Sequence, residues 1–156
     1  MANITAAAVN ELRKRTGVGM MDCKKALVEC DGDMDKAIDY LREKGQKLAA
    51  KRADRDASEG AVLATVNADK TFAAVIMMNC ETDFVAKNED FVAFTKEVLQ
   101  KAVDAKAKSL EEVMALTING LSVETMIVEQ VAKIGEKITL SHYYPIEAVA
   151  TYAYVH

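Results

Sequence analysis

The chain contains no tryptophan, one proline, two histidines and three cysteines in 156 residues. Each scarcity excludes something. Cys23, Cys30 and Cys80 are odd in number and form no CxxC pair, so they read as small buried thiols in a reducing compartment, not as a disulfide framework. Cys23 and Cys30 are spaced to share one helix face. A metal would need more ligands, and His142 and His156 lie far along the chain, so no metal site is expected. Aromatic residues make up 6% of the chain and none falls among Lys44, Lys47, Lys51, Arg52 and Arg55, which removes the platform that base stacking requires. Asp54, Asp56 and Glu59 break up that basic run further, so a solvated connecting segment is favoured over an RNA-binding one. No apolar run approaches the roughly 18 residues of a membrane span. The start, Met-Ala-Asn-Ile-Thr, lacks a basic region followed by an apolar one; no secretory signal is expected, and the expected location is cytoplasmic. No Ser/His/Asp set, metal-ligand cluster or phosphate loop is visible, so neither an enzyme nor a cofactor is expected. A formal net charge of -4 and a pI near 5.3 argue against a general nucleic-acid or membrane-surface binder.

What is present is globular: 51% hydrophobic and 28% charged residues, in a length that holds one ordinary domain or a very small one attached to a medium one. Residues 1–45 read as three short helices. Thr5 caps the first, with Val9 and Leu12 inward and Gly17 ending it. Asp22 is placed to cap a second that carries Cys23, Ala26, Leu27 and Cys30. Asp33 caps a third with Ala37, Ile38 and Leu41 inward and Gly45 as its stop. Gly17-Val18-Gly19-Met20-Met21 reads as a turn bearing two methionines, which either close the small helical core or touch a partner.

Residues 46–59 form a charged linker, helical at first, and residues 60–156 change texture to an α+β core. Ala61–Asn67 and Thr71–Met78 read as a β-hairpin around Ala68-Asp69-Lys70, and the near-continuous apolar character of the second run places it centrally in a sheet. A helix over about 90–106 carries Phe91, Phe94, Val98, Leu99 and Ala102 on one stripe. Ser109 with Glu112 makes a capping box for a short helix, and Ser122 starts another that ends at Gly135. After Glu136 the pattern is β again, interrupted at Pro145 and resuming from Ile146 to His156. A strand ending at a free carboxylate leaves an unblunted sheet edge, so the core is expected to be incomplete and the terminal strand to be a place for self-association.

The most informative stretch is Asn79-Cys80-Glu81-Thr82-Asp83-Phe84-Val85-Ala86-Lys87-Asn88. It joins the apolar run Val75-Ile76-Met77-Met78 to the following helix. Phe84, one of four phenylalanines, therefore sits on a polar connection between two core elements. There it is either tucked under the loop or offered to a partner.

Three segments carry a family resemblance. Leu12-Arg13-Lys14-Arg15-Thr16-Gly17-Val18-Gly19-Met20-Met21-Asp22-Cys23-Lys24-Lys25-Ala26-Leu27 resembles the N-terminal signature of the bacterial elongation factor Ts family. Asn79-Cys80-Glu81-Thr82-Asp83-Phe84-Val85-Ala86-Lys87 is similar to its second signature, and Lys133-Ile134-Gly135-Glu136 to a third segment. Val18 stands where alanine is commoner in that family, and Met77 where an acidic residue is usual. The resemblance implies an α+β fold: a three-helix module like a ubiquitin-associated domain, then an antiparallel sheet with packed helices. It implies further that the family continues past His156 into a second core half. It also implies a role in releasing GDP from elongation factor Tu, with no direct contact to nucleic acid or membrane. By position, Thr82, Asp83, Phe84 and Val85 would displace Mg²⁺ from the GTPase and disturb its phosphate site. Met20, Met21, Lys24, Ile134, Gly135 and His156 would supply further partner contacts. Taken alone, the three-helix module would fit instead a non-catalytic, ubiquitin-associated-like scaffold.

Overall fold

The computed structural model describes residues 3–156. The chain divides into two compact units: the residues up to Asp54 together with Val128–Glu136, and Arg55–Ile127 together with Lys137–His156.

In the first unit, α1 (Ala6–Thr16) is capped by Thr5, whose Oγ1 accepts from the Ala8 N–H at 3.2 Å. Gly17, at φ 68°, ends it by donating its N–H to the Arg13 carbonyl. Helices α2 (Met20–Glu29) and α3 (Met34–Lys51) follow, and Val9, Leu12, Val18, Cys23, Ala26, Leu27, Ala37 and Leu41 close one small core. Two expectations are corrected here. Asp22 does not cap α2. Gly19 holds the cap position, so Met20 and Met21 form the first helical turn and do not sit on a loop. The Asp22 carboxylate is used elsewhere, in an ion pair with Lys44 of α3. Nor does Gly45 stop α3, which runs on to Lys51. This glycine is there for clearance, because a Cβ on it would stand 2.9 Å from the Ala132 Cβ.

In the second unit, β1 (Glu59–Val66), β2 (Phe72–Cys80) and β5 (Thr139–Glu147) form an antiparallel sheet in the order β1-β2-β5, so β2 is central as expected. Phe72, Ala74, Ile76, Met78 and Cys80 alternate along β2 and are buried. Packed on β1 and β2 is α5 (Glu89–Asp104), whose stripe Phe91, Phe94, Val98, Leu99 and Ala102 is buried too. The opposite sheet face is apolar but open: Val62, Val75, Tyr144 and Ile146 are all exposed. Helix α6 (Leu110–Ala115) has its Ser109 cap, with the Oγ accepting from the Glu112 N–H; the Glu112 carboxylate reaches back to the Lys108 N–H at 2.7 Å. Beyond it, β3 (Thr117–Ile118) and β4 (Leu121–Ser122) make a small hairpin absent from the expectations. Its turn, Asn119-Gly120, has φ of 51° and 82°. That is the asparagine–glycine pair a tight hairpin favours, so the signal was present in the sequence. Helix α7 (Val123–Ile134) starts at Ser122, which accepts from the Thr125 N–H.

The end of the chain differs from expectation. Pro145 lies within β5, opposite Ala74, and interrupts nothing, because β5 is an edge strand where a missing N–H costs no ladder bond. The terminal strand expected over Ile146 to His156 is not formed beyond Glu147. The Ala148 N–H bonds the Thr71 carbonyl, while the Thr151 N–H and Oγ1 both donate to the Lys70 carbonyl. These bonds tie the segment to the β1–β2 turn and take it off the sheet. Self-association through a terminal strand therefore loses its structural basis.

Candidate partner-binding site

β2 ends at Cys80, and the connection to α5 is no simple loop. Asp83–Ala86 forms one helical turn, α4. Thr82 is its cap: its backbone is extended and its Oγ1 accepts from the Val85 N–H at 3.4 Å. The Thr82 carbonyl accepts from the Ala86 N–H at 3.1 Å and from the Cys80 thiol at 3.2 Å. Directly after the turn Asn88 caps α5, its Oδ1 accepting from the N–H groups of Asp90 and Phe91. Two side-chain caps thus enclose a single turn and help give it a definite shape.

Phe84 projects from this turn and is 83% exposed. Of the two alternatives open from the sequence, the ring is not tucked under the connection. Burying it would be worth roughly 1.5–3 kcal/mol, and the fold leaves that unused. Val85 is half-buried beside it. Asp83 is exposed, and the Lys87 Nζ lies 3.0 Å from its Oδ2. The hydrogen bond and charge of Lys87 hold the Asp83 carboxyl below its usual range, and Asp83 in turn holds the Lys87 ammonium above its own.

Glu81, one residue before the cap, is the feature that sequence reasoning missed. Its Oε1 accepts from the Lys137 N–H at 2.7 Å, and its Oε2 lies 3.6 Å from the Arg55 guanidinium. Neither partner is near in sequence, so no local pattern pointed to them.

In the first unit, Met20 and Met21 are 52% and 79% exposed. With Lys24 they line an open groove of about 490 Å³, completed by Ile4, Ala6, Val9 and Asn10. The groove joins an apolar floor to one cation, the form of surface that accepts an amphipathic segment. Ile134 and Gly135 lie at the end of α7, where Gly135, at φ 81°, donates its N–H to the Val131 carbonyl. His156 is exposed, with Nδ1 3.1 Å from the Tyr154 hydroxyl. The structure therefore gathers Thr82 to Val85 on one turn, and Met20, Met21 and Lys24 in one groove. Ile134 and Gly135 form a helix end. Among the described residues no group of His, Cys, Asp and Glu is placed to hold a metal, and no helix is long and apolar enough to cross a membrane.

A small helical unit and an α+β unit, each presenting exposed apolar side chains on a helical turn, define an α+β protein with a three-helix N-terminal module. Comparison with known proteins makes this specific. The family model described as "Elongation factor TS" matches residues 81–156, and the one described as "Elongation factor Ts, mitochondrial, N-terminal" matches residues 1–49. The elongation factor Ts of Christiangramia forsetii is 54% identical over 156 residues, covering 100% of this chain and 56% of that protein. Those of Flavobacterium johnsoniae and Rhodopirellula baltica are 53% and 51% identical over the same 156 residues, which are 48% and 47% of their lengths. The chain belongs to the elongation factor Ts family. It spans about half the length of the curated relatives it matches.

Proposed function

We propose that this chain is a guanine-nucleotide exchange factor for elongation factor Tu in the cytoplasm, acting by contact and without chemistry of its own. The observation that carries the reading is Phe84, an exposed aromatic ring on a doubly capped turn at the end of a central strand. Exchange needs no nucleophile or general base. It needs a surface that binds the nucleotide-free GTPase better than the GDP-bound form, since equal affinity for both shifts nothing.

In this reading the Met20, Met21 and Lys24 groove docks on the GTPase, with Ile134, Gly135 and His156 adding contacts. Thr82, Asp83, Phe84 and Val85 press toward the Mg²⁺ and phosphate site of the partner. A buried phenyl ring contributes roughly 1.5–3 kcal/mol, and about 1.4 kcal/mol is tenfold in an equilibrium constant. The ring alone is thus worth one to two decades, and the docking groove must supply the rest. Coupling is reciprocal, so GDP weakens factor binding by the same ratio. Release of a fluorescent GDP analogue from elongation factor Tu tests the reading: the chain should accelerate it and Phe84→Ala should lose most of the effect while staying folded. Normal exchange by that variant would overturn the wedge.

A second reading, a ubiquitin-associated-like scaffold, is favoured by the separate core and groove of the three-helix unit. Titration against ubiquitin and against elongation factor Tu separates the two, and tight ubiquitin binding would count against exchange.

A further inference from the structure

Several bonds that shape the α4 turn are short-range. Thr82 bonds Val85 and Ala86, and Asp83 bonds Lys87. Such bonds determine what the turn looks like but not where it faces. Its direction comes from contacts with distant parts of the chain: α4 packs on β1, and Glu81 adds a bond of its own. The residue it reaches, Lys137, is 56 positions away. The Lys137 Nζ then donates to the Arg55 carbonyl at 2.9 Å, while the Arg55 guanidinium faces the Glu81 carboxylate. Glu81, Lys137 and Arg55 thereby join the end of β2, the approach to β5 and the approach to β1. The Glu81 side chain is 14% exposed, whereas those of Asp83 and Lys87 are 53% and 78% exposed. A carboxylate so sheltered, bonded to a backbone N–H, is costly to remove, because its donor loses its partner.

We propose that Glu81 is the positioning residue for Phe84, setting the direction in which the turn presents the ring to the GTPase; the inference rests on the exchange reading above. Glu81 acts through Phe84. Its carboxylate is committed to Lys137 and Arg55, and the ring does the work at the nucleotide site.

The test compares Glu81→Ala and Glu81→Gln with the unaltered chain. Gln keeps an oxygen that accepts from the Lys137 N–H and loses the charge facing Arg55. In the free chain, amide exchange at Lys137, whose N–H bonds Glu81, should speed up about tenfold in the alanine variant and stay near the original in the glutamine variant. At saturating chain, Glu81→Ala should slow GDP release from elongation factor Tu about tenfold, with Glu81→Gln within about threefold. Circular dichroism checks that both variants remain folded. In a Phe84→Ala background, Glu81→Ala should cost little more, because the ring through which it acts is gone. Unchanged amide exchange in Glu81→Ala, or a full additional loss in the Phe84→Ala background, would overturn the proposal. If the unaltered chain fails to speed GDP release, the exchange reading falls, and the amide measurements still decide whether Glu81 ties the end of β2 to Lys137.

Discussion

Gly45 of α3 lies so close to Ala132 of α7 that a Cβ on the glycine would stand 2.9 Å from the alanine Cβ and 3.3 Å from the Val128 carbonyl. Two effects then compete in Gly45→Ala. Helix propensity favours alanine by about 1 kcal/mol. Overpacking a close contact costs about 1–3 kcal/mol, and a backbone carbonyl is among the atoms that would have to move. The clash should win. Gly45→Ala is expected to lower the melting temperature; a rise would show that α3 and α7 separate easily.

Phe84→Ala is expected to separate stability from function. An exposed side chain contributes little to folding, so thermal stability should change by no more than about 0.5 kcal/mol. Affinity for elongation factor Tu in pull-down or calorimetry should fall by roughly one to two decades, as for loss of one buried ring. A large drop in melting temperature would mean that the ring packs on its own chain.

The ion pair across the turn sets a pH dependence. Because Lys87 lowers the Asp83 pKa from its ordinary 3.8, the contribution is present above 3.8 and is lost as pH falls through the lower folded value. The Lys87 pKa is raised from 10.5, so its part is present below 10.5 and lost as pH climbs through the higher folded value. An NMR titration of the Asp83 carboxyl carbon should give a midpoint below 3.8, and Lys87→Met should move it up. High salt should weaken the shift, since both groups face water.

Tyr143 provides a second pH signature. Its hydroxyl donates to the Ala107 carbonyl at 2.7 Å, and burial pushes its pKa up from 10.0 to about 12. Its contribution is present below pH 10 and is lost as pH rises toward 12, because the unfolded chain ionises first. Ultraviolet absorbance should show a phenolate step near pH 12 that Tyr143→Phe removes. Losing the bond should cost that variant about 1 kcal/mol near neutral pH.

Much of the fold was legible because caps are local. Thr5, Asp33, Ser109 and Ser122 announce helix starts, and Gly17 and Gly135 announce ends, from side chains within a few residues. The stripe of α5 and the central place of β2 followed from apolar spacing. The β3–β4 hairpin was missed although its Asn119-Gly120 signal is local; three other errors arose where a partner came from far away. Gly45 looked like a stop because Ala132 is remote in sequence, and Asp22 looked like a cap because its bond to Lys44 is invisible along the chain. Pro145 looked like a break because edge position is a property of the sheet. At the candidate site, the location of Phe84 between strand and helix could be read. Its helical turn was too short for any periodicity, and Glu81 could not be assigned without Lys137 and Arg55.

The open sheet face is a further exposed apolar surface. Val62, Val75, Tyr144 and Ile146 expose apolar side chains together, and contiguous patches of this kind bind dyes and partners. The chain should therefore bind anilinonaphthalene sulfonate while fully folded. Val75→Thr combined with Ile146→Thr should reduce that signal with little change in far-ultraviolet circular dichroism. An unchanged signal would place the dye elsewhere.

The pairing of β2 with β5 also orders the assembly of the chain in time. The β1–β2 hairpin closes over a few residues, whereas bringing Ser141 to Met77 closes a loop across 64. Closure entropy grows with loop length, so the hairpin forms early and β5 arrives late. Lys137, which holds Glu81, lies just before β5. The turn carrying Phe84 thus takes its final bearing in the closing stage of folding, and a chain caught before that stage would have a sheet but no aimed ring.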